Sequence, residues 1–364
     1  MTRILHVAQP VDGGVGRYVA DLARSQAAAG LDVAVASPPG QLAGDVAELW
    51  VRWDAVRSPG LSALSETRAL AGVVRRFAPD AVHLHSSKAG LDGRLLLRGR
   101  VPTVFQPHGW SWQAGGGALG AASAGWERLA ARWADVIVCV SADERRAGER
   151  RRVRGRVEVV PNGVDLDRFR PVPATERAEL RRELGLDPAT PVAVCVGRID
   201  RQKGQEVLVR AWAIVRESWP DAVLLLVGDG PGRAALVPGE GVRLLGVQPE
   251  AQRFYALADV VAFASQWGEA MALTPLEGMA CGRPVVATDV AGIRESVGRG
   301  CGAIVPPADP AAMATALVER LSDPALAATE GERARAHVAA NHDLRTIHAR
   351  VTDLTLATLT SEGW

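Results

Sequence analysis

Lysine is almost absent from this chain. Of the 42 basic residues among its 364, 40 are arginine and only Lys88 and Lys203 are lysine. Alongside abundant alanine and glycine, the skew reads as a coding bias that has replaced interchangeable surface lysines. A lysine that survives it is a candidate for a place needing a compact ammonium, because the two cations are not equivalent at a tight site. Charge of one sign is lacking too: 42 basic residues face 41 acidic ones. With no long basic run, a dedicated nucleic-acid binder is excluded. No apolar stretch reaches the ~18–20 residues of a membrane span. Met1 to Val7 runs straight into a strand-like pattern without a signal-peptide core. A cytoplasmic protein is expected, with membrane contact at most peripheral at the inner face. The four cysteines are scattered, and Cys139 and Cys195 lie in apolar runs where reduced, buried thiols are expected. None has zinc spacing, and no 20–50-residue repeat is visible.

What is present is alternation. Short apolar runs such as Ile4–Ala8, Ala81–His85, Val192–Val196 and Val260–Ala264 alternate with helix-period segments such as Gln205–Trp219. Unbroken apolar strands suit parallel sheets covered on both faces. Two consecutive βα arrays predict an α/β fold of two doubly wound, Rossmann-like domains. The proline-rich stretch from Asn162 to Thr190 marks the join. Residues 1–170 are expected to form an N-terminal domain and 171–345 a C-terminal one. A terminal helix at 346–364 is expected to pack back on the first domain. Up to Arg170 the chain carries 23 basic and 17 acidic residues, and the remainder 19 and 24.

Three motifs carry candidate chemistry. Asp12-Gly13-Gly14-Val15-Gly16-Arg17 follows the first strand and opens a helix, where backbone N–H groups can meet an anion. The spacing is not that of a dinucleotide fingerprint, and no acid ends the second strand, which argues against a nicotinamide cofactor. A tight βα turn is the plainer alternative. Gly197-Arg198-Ile199-Asp200-Arg201-Gln202-Lys203-Gly204 follows the first strand of the second array, where a parallel sheet binds its ligands. Arg198 and Lys203 there can reach one anionic group such as a diphosphate; a solvated loop is the alternative, weakened by the scarcity of lysine. In the third motif, Glu269 and Glu277 bracket a loop and a helix start (Met271, Ala272, Leu273, Thr274, Pro275). A carboxylate in that position can accept two hydroxyl hydrogen bonds from a sugar; a pair of solvated acids around a helix start is the plainer alternative.

This third segment resembles the Glu-x7-Glu signature of the retaining glycosyltransferases of family 4, which have the GT-B architecture. Further pieces agree in order: the glycine loop, Pro107-His108-Gly109, Pro161-Asn162-Gly163-Val164-Asp165, Gly197-Arg198 to Lys203-Gly204, and Val227-Gly228-Asp229-Gly230-Pro231. The resemblance spans roughly residues 3 to 345. It implies two Rossmann-like domains facing a central cleft, which closes over a nucleotide-sugar, expected to be UDP-linked. Arg198 and Lys203 match the pair on the donor diphosphate, and Glu277 matches the glutamate on the ribose. Glu269 matches the glutamate near the transferred sugar, which also meets the backbone of Met271, Ala272, Leu273 and Thr274. Gly14 and Gly16 belong to the loop facing the diphosphate, and His108 matches the histidine lining the sugar site. Gly230 and Val247 are expected near the base. After Glu269 the family pattern is glycine-rich with an aromatic; Ala270, Met271 and Ala272 depart from it and predict a tighter pocket.

The implied chemistry is metal-independent transfer of a hexose or N-acetylhexosamine with retention, by front-face attack. The cations then stabilise the departing diphosphate. No cofactor is expected, and Asp165-Leu166-Asp167 is read as a turn rather than a metal site. The acceptor falls to the first domain: a cell-envelope glycan, a lipid-linked intermediate, or a small metabolite such as an aminocyclitol. Candidates are Lys88, Trp110 and Trp112, followed by a small-residue stretch to Gly125 that could act as a mobile loop. Core packing is the alternative for the tryptophans, a simple exposed lysine for Lys88, and a strand-buried side chain for His83. Glu144–Arg156, with seven arginines, reads as a solvated helix or as a patch for anionic lipid. A nucleotide-sugar epimerase of the same architecture is the alternative activity.

Overall fold

The computed structural model describes residues 1–56, 60, 62–114 and 117–360. The chain divides into two compact units, one of residues up to Pro161 together with those from Arg345 onward, the other Asn162–Leu344.

The first unit is built on a seven-stranded sheet. Its strands are β1 (Arg3–Ala8), β2 (Asp32–Ser37), β3 (Trp50–Arg52), β4 (Ala81–His85), β5 (Thr103–Gln106), β6 (Val136–Cys139) and β7 (Val157–Val159). They run in the order β3-β2-β1-β4-β5-β6-β7, every pair parallel. β4 and β5 are buried at every position, their polar residues included, as strands of a sheet covered on both faces are. One face packs Leu5, Val7, Leu84 and Phe105 with Trp53 and Trp110. The other packs Val33, Val35 and Val138 with Tyr18, Leu22 and, from the helix Leu344–Thr360, Ile347 and Val351.

The second unit repeats the plan with β8 (Val192–Val196), β9 (Val223–Val227), β10 (Val242–Gly246), β11 (Val260–Phe263), β12 (Val285–Thr288) and β13 (Gly302–Val305). The order is β10-β9-β8-β11-β12-β13, again all parallel. Trp212, Leu208 and Val215 of the helix Gln205–Ser218 fill its core, the face that their helical spacing selects.

Both sheets reverse their direction of growth once, between β1 and β4 in the first unit and between β8 and β11 in the second. Loops leaving neighbouring strands at such a point diverge to opposite faces and leave a crevice beyond the carboxyl ends. β3 was not anticipated; it is a three-residue edge strand with partly exposed residues, too short to show periodicity. The small-residue stretch before Gly125 was expected as a loop. From Gly117 it is instead the helix Gly117–Ala130, packed through Gly120, Ala124, Glu127 and Ala130; Gly115 and Gly116 lie outside the described residues.

Candidate active site

The second unit gathers the acids and cations around its switch point. The loop after β8 carries Arg198 and Lys203, and the loop after β11 carries Glu269. Lys203 Nζ lies 2.6 Å from Glu269 Oε1, which also accepts a hydrogen bond from Ser265 Oγ at 2.9 Å. Arg198 is paired with Asp200 Oδ2 at 2.7 Å, and Asp200 Oδ1 accepts the Lys203 backbone N–H at 2.9 Å. Asp200 therefore ties both cations into one turn. The Arg198 side chain is 48% exposed and that of Lys203 22% exposed, so both cations reach solvent. Gln205 braces the turn by donating to the Arg198 carbonyl at 2.9 Å.

Eight positions beyond Glu269, Glu277 lies on the helix Leu273–Ala280, itself buried and accepting a hydrogen bond from Tyr255 Oη at 2.7 Å. Ala272 is the extended residue that starts the helix. Asn162 Nδ2 holds the Met271 carbonyl at 2.8 Å, and Thr274 Oγ1 donates to the Val196 carbonyl at the end of β8. Met271 and Ala272 have buried side chains, so what this segment offers a ligand is the backbone N–H groups of a helix start. Leu273 stands there half-buried. Gly230, in the loop after β9, sits where an added Cβ would lie 2.4 Å from the Ile199 carbonyl oxygen. Val247, after β10, is 75% exposed.

In the first unit, Gly14 is exposed and Gly16 buried in the first turns of the helix Gly13–Ala28. His108 is half-buried after β5, with φ at +52°, a conformation that costs a non-glycine residue on the order of 1 kcal/mol or more. Glu144 holds this loop: its carboxylate accepts the Gly109 N–H at 2.5 Å and the Val140 N–H at 2.7 Å. Burial pushes the Glu144 carboxyl up to about 7, against the lowering effect of those two N–H groups.

Two acceptor candidates are corrected. Lys88 is buried, with its ammonium held between Glu66 and, at 3.0 Å, Asp92, so it is a core ion triad and not a surface cation. Trp110 is also core: it is 2% exposed, donates from Nε1 to the Glu144 carbonyl at 2.7 Å, and stacks on Trp112 at 4.7 Å. Trp112 remains partly exposed. The arginine-rich stretch contains the helix Ala142–Arg150, with exposed ion pairs Arg145–Glu149 and Arg146–Asp143. Asp165 Oδ1 accepts the N–H groups of Asp167 and Arg168, as a turn-forming aspartate does. Among the described residues, only His6, His83 and His85 gather nitrogens closely enough to suggest a metal. Yet His6 Nδ1 and His85 Nε2 are hydrogen-bonded to each other at 3.0 Å, and the rings stack instead of converging.

Asp200, Ser265, Tyr255 and Glu144 were not singled out from the sequence. Tyr255 could have been, since the chain has only two tyrosines. Both sit at these sites, with Tyr18 packed edge-on to His108 at 5.0 Å.

Comparison with known proteins agrees with this geometry. The family model described as Glycosyl transferases group 1 matches residues 190–323, and that described as Glycosyltransferase Family 4 matches residues 12–168. The chain is 32% identical over 210 residues to a GDP-mannose-dependent monoacylated alpha-(1-6)-phosphatidylinositol monomannoside mannosyltransferase of Corynebacterium glutamicum, covering 54% of this chain and 55% of that protein. It is 39% identical over 155 residues to a D-inositol 3-phosphate glycosyltransferase of Segniliparus rotundus, covering 39% and 34%. The chain thus spans about half the length, or less, of these curated relatives. In structure it is similar to Anabaena HepE in complex with UDP and glucose, with a TM-score of 0.85 and 22% identity over 98% of this chain and 100% of the other. The sucrose-phosphate synthase of Thermosynechococcus elongatus gives 0.84 and 25%, with both chains fully covered. The fold is GT-B, and the chain is a relative of these glycosyltransferase groups. No helix among the described residues is long and apolar enough to cross a membrane.

Proposed function

We propose that this protein is a metal-independent, retaining glycosyltransferase that moves a hexose from a nucleoside diphosphate sugar to a hydroxyl of a membrane lipid or glycan acceptor. The observation that carries the proposal is the pairing of Arg198 with Asp200 and Lys203 with Glu269 at the switch point of the second unit. Breaking the anomeric bond leaves a diphosphate that gains negative charge. Two cations held at one turn lie ready to stabilise that charge, Lys203 by moving from Glu269 to the diphosphate and Arg198 through its solvent-exposed guanidinium. Glu277, braced by Tyr255, supplies a buried hydroxyl acceptor for the ribose, and Glu269 one for the transferred sugar. The hydroxyls of that sugar also meet the backbone of Met271, Ala272, Leu273 and Thr274. Gly14 and Gly16 serve the diphosphate from the first unit, His108 the sugar, Trp112 the acceptor, and Gly230 and Val247 the base.

The relatives named for GDP-mannose and the likeness to a UDP complex set the two donor classes to be compared. The test is a thermal-shift screen of GDP-mannose, UDP-glucose and UDP-N-acetylglucosamine, then product analysis with lipid-linked, glycan and aminocyclitol acceptors in EDTA. Release of nucleoside diphosphate that depends on acceptor, with an α-linked product from an α-linked donor, supports the assignment. Conversion of the donor sugar without any acceptor would instead make the protein an epimerase.

A further inference from the structure

Four of the seven histidines lie in one place, at the switch point of the first unit. His6 is on β1, His83 and His85 are on the same face of β4, and the parallel register sets His6 beside His83 and Ala8 beside His85. His108 reaches the group from the loop after β5. Three of the four imidazoles form a hydrogen-bonded line. His108 Nε2 is 3.1 Å from His85 Nδ1, and His85 Nε2 is 3.0 Å from His6 Nδ1. His6 Nε2 is then 2.7 Å from Gln26 Oε1, and Gln26 Nε2 is 3.3 Å from Thr352 Oγ1.

The far end of the line decides every proton in it. The Thr352 hydroxyl donates to the His348 carbonyl at 2.8 Å, so towards Gln26 its oxygen accepts. Gln26 must therefore present its amide N–H₂ to Thr352 and its carbonyl oxygen to His6. That forces the proton of His6 onto Nε2, leaving Nδ1 as an acceptor. A neutral imidazole has one donor and one acceptor nitrogen, so the same choice passes to His85 and then to His108. His6 and His85 are fully buried, and burial pushes both rings well below the usual imidazole range, which keeps them neutral. His108 ends the line half-buried, held in a left-handed conformation by the Glu144–Gly109 bond. Its Nδ1 takes no hydrogen bond from any described residue.

We infer that His6, His85, Gln26 and Thr352 are positioning residues that lock His108 as the Nε2–H tautomer, so that its Nδ1 accepts a hydrogen bond from one hydroxyl of the bound sugar and rejects a carboxylate there. This rests on the proposed function for the identity of the ligand, but the tautomers themselves do not depend on it. The arrangement makes His108 a one-way polar contact. It recognises a donor group, and an anionic or hydrogen-bond-accepting substituent at that point meets a lone pair. His83 stacks on His85 at 4.0 Å and lies outside the hydrogen-bonded line.

The test uses the full chain labelled with ¹⁵N-histidine and long-range ¹H–¹⁵N correlation spectra, with resonances assigned from single histidine-to-glutamine variants. His6, His85 and His108 should each show a protonated Nε2 and an unprotonated Nδ1. A mixture of tautomers, or an Nδ1–H form at any of the three, overturns the locked line. UDP-glucose or GDP-mannose, whichever raises the melting temperature, should then shift the His108 Nδ1 resonance in the direction of an accepted hydrogen bond. A bound sugar nucleotide that leaves it unmoved overturns the hydroxyl contact. Gln26→Met should release the lock, so that an Nδ1–H population of His108 appears and kcat/KM falls roughly tenfold, the size of one hydrogen bond. Across a series of monodeoxy donors, one member should lose about as much with the unaltered protein and be insensitive to Gln26→Met. If neither sugar nucleotide binds while the tautomers are as stated, the locked line stands and the glycosyltransferase assignment falls.

Discussion

Lys203 and Glu269 are ion-paired at 2.6 Å although 66 positions separate them in the chain. The pair joins the loops after β8 and β11, the two strands on either side of the switch point, so the topology of the sheet is what brings the residues together. Glu269 is also held by Ser265, which leaves the ammonium as the more mobile partner and the one an entering diphosphate would draw away.

Lys203→Ala should lower kcat by roughly 10²–10³, the loss expected when one preorganised donor to a developing anion is removed. Lys203→Arg should recover little of it. Gly204, next in sequence, has φ at +67°, and an added Cβ would stand 2.1 Å from the Ala264 carbonyl oxygen. The room at this turn is set by its backbone, and a planar guanidinium is wider than an ammonium. Steady-state kinetics with a saturating donor check this, and a Lys203→Ala enzyme with unchanged kcat would remove the lysine from the mechanism.

Lys88→Met should cost stability and leave turnover per folded molecule unchanged. Without the ammonium, Glu66 and Asp92 face each other as buried acids, and breaking a buried ion group in this way costs about 3–5 kcal/mol. Urea titration measures the loss. A large fall in kcat/KM at temperatures where the variant is folded would return Lys88 to the acceptor site.

Tyr255→Phe should raise the donor KM more than it lowers kcat. The phenol donates to Glu277 inside the core, and its loss removes one hydrogen bond to a buried carboxylate, about 1.5–3 kcal/mol when the partner is charged. Equal changes in kcat and kcat/KM would mean that the pair acts in the transition state and not in binding.

The sequence pattern carried the sheets well where buried parallel strands show as short, largely apolar runs, as Val192–Val196 and Val223–Val227 do. Trp50–Arg52 does not: an edge strand of three residues has no period to detect. Scarcity also carried information, since Lys203 stands in the candidate site. Yet the same scarcity pointed to Lys88, and there the compact ammonium serves a core ion triad. A count of rare residues locates constrained positions without saying whether the constraint is packing or chemistry. Asp200 and Ser265 act within their own loops, Asp200 on Arg198 and the Lys203 N–H and Ser265 on Glu269, and were illegible because an aspartate or serine in a loop carries no pattern that sets it apart. The histidine line was hidden because its members meet only across the fold. His83 and His85 read as strand residues, and only the β1–β4 register and the distant Gln26 and Thr352 turn them into an oriented chain.

Acid should unfold this protein through its histidines. His6, His83 and His85 are fully buried, and burial lowers their imidazoles, His6 to about 4 and the other two well below 6.5. Below pH 6.5 the unfolded chain takes up protons that the folded chain refuses. Their contribution is complete above about 6.5 and is lost as the pH falls towards 4, by about 1.4 kcal/mol per pH unit for each ring. Glu144 has the opposite sign. Its carboxyl is raised from 4.5 to about 7 by burial, so its contribution is complete below 4.5 and is lost as the pH rises through 7. Between 4.5 and 6.5 these three rings, joined by His108, which burial lowers to about 3, oppose that one carboxyl, and stability should rise with pH. Urea midpoints measured from pH 4.5 to 8 give that slope. His83→Gln, which leaves the hydrogen-bonded line intact, should flatten the acid limb by about 1.4 kcal/mol per pH unit. The cost of burying the amide shifts the curve at every pH alike, so the slope is the readout. An acid limb as steep as that of the unaltered protein would mean that His83 is already protonated in the fold.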